Sequence, residues 1–297
     1  RKYYGYEIDE KKPVVVSTWQ SLATFDKKYF EQFDCVIGDE AHLYKSKELQ
    51  KIMGSLVNAN FRIGTTGTLD DSKVHKLVLE GLFGPVTNVT TTRDLIDKKQ
   101  LADLKIQCVV LKYPKEDCIQ VKNLKYQEEM EYIVSHQRRN NFIKNLTKDQ
   151  TGNTLVLFQY VDKHGKILYD LIADTLDPYA RKIFFVYGGT DTKDRETIRS
   201  ITENENNAII VASYGTFSTG INIRNLHNVI FASPTKSKIR VLQSLGRGLR
   251  LGDSKSQATL YDIADDFSYK ERKNFTLNHF MERVGFYTEQ EFDYEMH

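Results

Sequence analysis

Two adjacent carboxylates, Asp39 and Glu40, follow the short apolar run at residues 35–37 after a single glycine. The run is typical of a buried strand, and in an open parallel sheet the strand ends carry the ligand site. Paired carboxylates there suit a divalent cation on a nucleotide phosphate, and the second of them can orient or deprotonate a water molecule. His42 lies two residues further on. The stretch therefore predicts phosphate chemistry at a strand end.

A second polar stretch, Thr66-Gly67-Thr68, comes about two dozen residues later, after one predicted helix and one predicted strand. In a parallel sheet this loop is expected to lie beside the first, where its hydroxyls can form hydrogen bonds with acidic or histidine side chains. A simple glycine turn is the alternative interpretation.

The third stretch with chemical potential contains Gln243, Arg247 and Arg250, which are spaced by four and three residues. On a helix they share one face, and two guanidinium groups on one face form a fork for phosphate oxygens. Gly246 and Gly248 each cost a helix roughly 1 kcal/mol, which favours close approach by another group. The alternative is an ordinary basic helix face.

Hydroxyls and glycines also follow the apolar run at residues 208–212. We predict a loop at residues 213–222 that offers N–H groups and hydroxyls to phosphates, although a plain surface loop is the alternative. Its candidate residues are Ser213, Thr216, Gly220 and Asn222.

Apolar runs and helical spacing alternate along the 297 residues, a length that suits two domains. Continuous apolar strands separated by helices predict an α/β fold with parallel sheets covered on both faces. Strands are predicted at residues 13–18, 35–37, 61–64, 104–113, 154–158, 182–187, 208–212, 228–232 and 258–263. Helices are predicted at residues 47–57, 74–82, 92–99, 126–146, 161–176, 193–202 and up to about residue 250.

Charge, cysteine content and the length of the apolar runs indicate what the protein can bind and where it is expected to function. The net charge is +2, with 42 basic and 40 acidic residues, so nucleic-acid binding would depend on a local patch. The three cysteines form no Cys-x-x-Cys pair, which predicts a reduced, cytoplasmic protein, and Cys35 is expected to be buried. No apolar run reaches the length of a membrane span. The acidic stretch at residues 288–295 is interpreted as a solvated tail.

The order of these motifs, together with residues 17–21, resembles a superfamily 2 helicase of the DEAH-box-like (DExH) type over nearly the whole chain. Residues 158–166, 186–189 and 213–220 are most similar to UvsW-type phage branch-migration helicases. The resemblance implies a P-loop NTPase helicase core of two RecA-like parallel-sheet domains. It implies the C-terminal part of the ATP-binding domain 1 at residues 1–95, an interdomain linker at 96–120 and domain 2 at 121–297.

The resemblance also implies roles for individual residues, with ATP and Mg²⁺ as cofactors. Asp39 would hold Mg²⁺ through water, and Glu40 would be the general base. Arg247 and Arg250 would be catalytic arginine fingers. The remaining roles are nucleotide binding by Gly220, Asn222 and Gln243, coupling to the nucleic acid by His42, Thr66 and Thr68, and contact with the nucleic-acid backbone by Thr18, Ser213 and Thr216.

One family motif is missing from the sequence. The family requires Gly-x-x-x-x-Gly-Lys-[Ser/Thr] before Asp39, and the one Gly-Lys dipeptide, Gly165-Lys166, has Tyr160 and Ile167 at the flanking positions. We therefore expect that the first domain is incomplete at its N-terminus, that the P-loop preceded Arg1, and that the chain alone is inactive.

The function implied is that of an ATP-dependent DNA helicase or translocase on branched or recombination-intermediate DNA, in recombination, repair and replication. Two alternatives stay open: an ATP-independent nucleic-acid binding or annealing module, and a double-strand DNA translocase subunit of a restriction-type system. We expect a monomer that binds single-stranded or branched DNA, with no membrane contact, in the cytoplasm of a host cell if a phage encodes it. A single-strand-binding protein and a recombinase are candidate partners.

Overall fold

The computed structural model describes residues 2–3, 6–7, 13–67, 69, 73–177, 179–220, 223, 225–236 and 257–297. The chain divides into two compact units, Arg1–Val89 and Thr90–His297. The division lies six residues before the predicted end of the first domain. No helix in the described part of the chain is long and apolar enough to cross a membrane.

In its described residues, the first unit contains two small sheets and four helices. Strands β1 (Lys2–Tyr3) and β2 (Tyr6–Glu7) pair antiparallel, whereas β3 (Cys35–Gly38) and β4 (Phe61–Gly64) pair parallel, with Gly38 opposite Gly64. The helices are α1 (Trp19–Leu22), α2 (Lys27–Phe30), α3 (Lys47–Ser55) and α4 (Lys73–Phe83). A 3₁₀ turn at Ala41–Lys45 connects β3 to α3.

Two expectations for the first unit are wrong. Residues 14–18 form no strand, and Val14 and Val16 are exposed. Cys35 is exposed rather than buried. An apolar run becomes a buried strand only when neighbouring elements cover it, and the described residues of this unit leave Ile37 67% exposed as well.

The second unit is built on a seven-stranded parallel sheet of order β11-β5-β10-β9-β6-β8-β7. Helices pack over two apolar cores, because successive side chains of a strand point to opposite faces. In β8, Ile210 and Ala212 join one core, and Ile209 and Val211 join the other. The predicted α/β class with a parallel sheet is confirmed. The strands are β5 (Asp103–Lys112), β6 (Thr154–Phe158), β7 (Ile183–Val186), β8 (Ile209–Ser213), β9 (Asn228–Phe231), β10 (Gln257–Asp266) and β11 (Asp293–Met296).

The helices of the second unit follow most of the predicted spans. They are α5 (Thr92–Asp97), α6 (Lys115–Val121), α7 (Tyr126–Ser135), α8 (Gln137–Asp149), α9 (Lys166–Ala173), α10 (Thr192–Asn204), α11 (Tyr214–Gly220) and α12 (Phe275–Glu289). A π-helical turn, Val161–Gly165, precedes α9. The helix predicted at 126–146 is two helices, because His136 has extended backbone and caps α8 by accepting the Arg139 N–H.

Two segments have tertiary partners that their sequences did not indicate. Residues 96–120, predicted as a linker, contain β5, which pairs with β10 along all ten of its residues. The acidic stretch predicted as a solvated tail contains β11, which pairs with β5 at the edge of the sheet, where Lys105 Nζ lies 3.1 Å from Glu295 Oε1.

Candidate functional site

In the first unit, the carboxylate pair lies directly after β3, beside the residues that follow β4. The Thr65 N–H donates to the Gly38 carbonyl (2.9 Å), and the Ala41 N–H donates to the Thr65 carbonyl (2.9 Å). Asp39 Oδ1 accepts hydrogen bonds from the Glu40 N–H (2.9 Å) and from the Thr65 hydroxyl (3.3 Å). Both carboxylates are exposed. The two strand ends therefore form one polar site.

His42 connects Glu40 with the loop after β4. Its Nδ1 lies 3.2 Å from Glu40 Oε2 and 2.9 Å from Thr66 Oγ1. Since an ionised carboxylate only accepts, Nδ1 carries the proton in this arrangement. Burial lowers the pKa of His42 below its ordinary value of 6.5, although Glu40 acts in the opposite direction. The ring is therefore neutral at pH 7 and contacts both Glu40 and Thr66.

The backbone of Glu40 is left-handed, with φ 49° and ψ 51°. For a residue other than glycine this conformation costs on the order of 1–3 kcal/mol and persists only where the surroundings enforce it. Here the backbone hydrogen bonds of Thr65 hold both sides of the turn. The conformation orients the Glu40 side chain toward His42 while 49% of it remains exposed.

Gly38 and Gly64, the last residues of β3 and β4, allow two aromatic rings to pack directly against the backbone. A Cβ on Gly38 would lie 2.7 Å from Tyr44 Oη, and one on Gly64 would lie 2.9 Å from Phe83 Cγ. Tyr44 and Phe83 pack edge to face, with centroids 5.0 Å apart. Burial raises the pKa of Tyr44, and the Asp39 carboxylate adds to the shift. The rings form an apolar support beneath the carboxylates.

In the second unit, residues 214–220 of the predicted loop after β8 form a helix. Ser213 Oγ accepts the Thr216 N–H at 3.4 Å and lies 2.8 Å from Thr216 Oγ1, so it starts α11. Thr216 is buried and Ser213 half-buried. Gly220 is the last residue of α11.

In the first unit, Thr18 is exposed and caps α1 by accepting the Ser21 N–H.

A buried hydrogen-bond chain joins the ends of β6 and β9. The Gln159 N–H donates to Ser233 Oγ (3.0 Å), which lies 2.8 Å from His164 Nδ1, and His164 Nε2 lies 3.2 Å from Asn140 Oδ1. Because an amide oxygen only accepts, Nε2 carries the proton and Nδ1 accepts from the Ser233 hydroxyl. Burial holds the pKa of His164 well below its ordinary value.

Two buried ion pairs hold the segment after β9 from opposite faces of the sheet. Arg139 donates to Asp265 Oδ1 (2.7 Å) and to the Ala232 carbonyl (2.6 Å). Arg283 pairs with both oxygens of Asp262 and donates to the Thr235 carbonyl (2.5 Å). Asp262 and Asp265 are three residues apart in β10, so they point to opposite faces. Residues 232–235 thus have a fixed path.

The remaining predicted site residues lie outside the described part of the chain. They are Thr68, Asn222, Gln243, Arg247 and Arg250.

Two family descriptions match the chain. The helicase conserved C-terminal domain matches residues 137–252, and the type III restriction enzyme res subunit matches residues 1–71. A protein described as ATP-dependent DNA helicase uvsW, from Enterobacteria phage T4, is 38% identical over 299 residues. The match covers 96% of this chain and 58% of the phage protein. The chain belongs to the superfamily 2 helicases.

Solved structures agree with this membership. The crystal structure of T4 UvsW matches the present chain with a TM-score of 0.55 at 36% sequence identity. The match covers 99% of this chain and 60% of the UvsW chain. S. cerevisiae Dbp5, bound to RNA and ADP BeF3, matches with a TM-score of 0.52 at 11% identity, over 89% of this chain and 60% of that one. At that identity the likeness shows the fold alone, that of RecA-like helicase domains. The chain spans less than two thirds of these relatives.

Sequence reasoning missed three polar residues of this superfamily 2 chain. Thr65 bonds Asp39, and Ser233 and His164 join the ends of β6 and β9. Thr65 directly precedes the predicted Thr66 motif, so its place in the sequence could have identified it as a site residue. Nothing in the sequence around Ser233 indicated its partners, because they lie 69 to 74 residues away along the chain.

Proposed function

We propose that the chain is part of the motor of an ATP-dependent DNA helicase or translocase that acts on branched DNA such as recombination intermediates. The observation that carries the proposal is the 38% identity, over 96% of this chain, to a phage protein described as an ATP-dependent DNA helicase. The strand-end site supports it, because its two exposed carboxylates lie beside a buried histidine and two threonine hydroxyls.

The donor set fits Mg²⁺ better than a metal held only by protein ligands. The described residues contain no cluster of three or more His, Cys, Asp or Glu side chains that could hold a metal ion. Mg²⁺ usually binds through one or two carboxylates and completes its shell with waters and substrate phosphates. Asp39 would hold it, and the bound cation would neutralise charge on the phosphates.

Glu40 is the proposed general base. Its exposed carboxylate can accept a proton from an attacking water, while the His42 Nδ1–H holds one of its oxygens. The same ring contacts Thr66, so a change at Glu40 is transmitted to the loop after β4. That contact supports the proposed coupling role of His42 and Thr66. The coupling role of Thr68, nucleotide binding by Gly220, Asn222 and Gln243, and backbone contacts by Thr18, Ser213 and Thr216 stay predictions.

The decisive experiment measures ATP hydrolysis by the complete protein with forked, four-way and linear DNA. We expect stimulation by DNA, greatest with the branched substrates. Arg250→Ala should lower turnover by about 10³-fold or more, the usual contribution of an arginine finger. Hydrolysis that ignores DNA would reject the proposed function, and a fully active Arg250→Ala variant would reject the role of that residue.

A double-strand DNA translocase is the second candidate, because residues 1–71 match the restriction enzyme res subunit. Strand displacement on a forked duplex with the complete protein supports the helicase. Displacement of a triplex-forming strand without unwinding supports the translocase. DNA annealing without ATP hydrolysis would instead support the annealing module.

The proposed setting is the cytoplasm of an infected cell, since the relative with 38% identity is a phage protein. A single-strand-binding protein or a recombinase is the proposed partner.

A further inference from the structure

Five side chains form a basic surface beside the carboxyl ends of β5 and β10: Lys115, Lys122, Tyr269, Lys270 and Arg272. Lys115, Tyr269 and Lys270 line a surface pocket of about 460 Å³. The Nζ atoms of Lys122 and Lys270 lie 5.3 and 5.8 Å from the centre of the Tyr269 ring. The Arg272 guanidinium donates to the Lys122 carbonyl. The cations and the ring are therefore one cluster built from two separate segments.

The turn that carries three of these residues is held in place. Tyr269 and Arg272 exchange backbone hydrogen bonds of 3.0 and 3.1 Å, which puts Lys270 at the tip with a left-handed φ of 54°. Beneath the turn, Tyr113 stacks on Phe267 with ring centroids 3.8 Å apart. The Tyr269 ring is half-buried and packs against the same apolar cluster, so the basic surface lies on a packed base rather than on a long loop.

Its cations differ from those basic side chains of the second unit that have carboxylate partners, such as Lys163 and Lys182. Lys163 pairs with Glu131 and Lys182 with Glu205, both at distances below 3 Å. Within the described part of the chain, no carboxylate lies within ion-pair distance of the four cations of the basic surface. Asp117, on the same helix as Lys115, instead accepts from Tyr132 and lies beside His136. Four positive charges without carboxylate partners favour an anionic ligand.

We propose that the basic surface binds single-stranded nucleic acid, its cations contacting successive phosphates and Tyr269 stacking on a base. A positively charged groove with aromatic side chains is the general arrangement for single strands, since every base has a stacking face. The basic surface and Ser213 both lie at the carboxyl ends of the parallel strands. β10, which precedes the basic surface, and β8, which ends at Ser213, are three strand spacings apart in the sheet, or about 14 Å at the usual strand spacing of about 4.8 Å. The basic surface would extend a strand's path along this edge of the sheet, and in this sense it rests on the proposed function.

The test compares two triple variants of the chain that remove the same charge. Lys122→Gln/Lys270→Gln/Arg272→Gln removes three cations of the basic surface. Lys105→Gln/Lys148→Gln/Lys182→Gln removes three from near the amino ends of the strands, at the opposite edge. Binding of a labelled oligothymidylate without ATP is measured by fluorescence anisotropy over a series of salt concentrations, after circular dichroism has shown that each variant is folded.

We expect the first variant to bind more weakly and to lose about 2 from the slope of log K against log salt. Each phosphate contact to a single strand contributes about 0.7 to that slope. The control variant should keep most of the wild-type slope. Equal loss in both variants, or an unchanged slope in the first, would overturn the proposal.

Tyr269→Leu separates stacking from charge. It should lower the affinity about tenfold, within the usual worth of one stacked base, and leave the salt slope unchanged. Unchanged affinity would overturn the stacking role, and weaker binding of duplex alone would overturn the assignment to single strands. If DNA does not stimulate the ATPase of the complete protein, the proposed function is rejected, but the binding result for the basic surface still holds. If DNA stimulates the ATPase and the variants bind oligothymidylate like the wild type, only the proposal for the basic surface is rejected.

Discussion

The two units use carboxylates at or near strand ends in opposite ways. Asp39 and Glu40 follow β3, are exposed, and make few contacts, one of them to a histidine. Asp262 and Asp265 lie within β10, are fully buried, and face arginines. The residue type is the same, but the surroundings differ. An exposed carboxylate with free coordination sites can do chemistry, whereas a buried one is committed to its partner.

Desolvation explains the difference. A buried ion must recover through its partner the hydration that it loses, so removing one partner leaves an uncompensated charge. The Asp262–Arg283 pair is bidentate and is completed by Tyr287, whose hydroxyl donates to Asp262 at 2.8 Å. An exposed carboxylate keeps its water and pays no such cost. The same chemical change, carboxylate to amide, should therefore lower catalysis in the first region and stability in the second.

The largest expected effect is on catalysis at Glu40. Glu40→Gln in the complete protein should lower the turnover of ATP by about 10²–10⁴-fold, the usual contribution of a general base, and leave ATP binding intact. Because the side chain is exposed, the free energy of unfolding should change little. Turnover and nucleotide affinity are measured together, and wild-type turnover would remove Glu40 from the mechanism.

The matching change at Asp262 should act on stability. Asp262→Asn leaves the buried Arg283 without its charge partner, so the free energy of unfolding should fall by about 3–5 kcal/mol. Urea denaturation followed by circular dichroism measures it. Glu205→Gln, which breaks the surface pair with Lys182, is the control and should have a much smaller effect. Equal losses in the two variants would contradict the comparison.

The strand-end glycines allow a smaller test within the first unit. Gly38→Ala puts a Cβ 2.7 Å from Tyr44 Oη, so overpacking should destabilise the unit by roughly 1–3 kcal/mol. Gly54→Ala, in α3 with no atom within 4 Å of the added Cβ, should stabilise it by roughly 0.5–1 kcal/mol. Thermal unfolding of both variants checks the signs, and a stable Gly38→Ala protein would show that the rings yield.

The last expected effect is the pH dependence of stability that comes from His164. Its folded pKa lies well below the ordinary 6.5 because it is buried, so below that pH the unfolded chain binds more protons. The contribution of neutral His164 to the free energy of unfolding is therefore fully present above pH 6.5. As the pH falls below 6.5, this contribution is lost at up to about 1.4 kcal/mol per pH unit.

Urea denaturation at pH 7.5 and 5.5 measures the loss for the wild type and for His164→Gln. The variant should show a flatter dependence whatever its absolute stability. An unchanged dependence would show that His164 does not titrate on unfolding.

Local pattern was enough to predict most helices and strands of the second unit, because its strands are continuous apolar runs that both faces of the sheet bury. It was also enough to place Asp39, Glu40 and Thr66 at neighbouring strand ends, since parallel strands end at one edge. It failed at residues 14–18, where covering elements decide whether an apolar run is a strand, and it did not indicate the distant strand partners of β5 and β11.

The sequence by itself determined the class of fold, the membership of the helicase superfamily and the position of the carboxylate pair. The class of fold and the position of the carboxylate pair depend on residue types at short spacing, and the membership depends on a resemblance in the order of motifs along the chain. Only the tertiary structure decided that His42 joins Glu40 to Thr66, that Arg139 and Arg283 hold the segment after β9 from opposite faces, and that Lys122 and Lys270 lie near one tyrosine ring. These contacts join residues up to about 150 positions apart, where burial and geometry, rather than local propensity, select the partners.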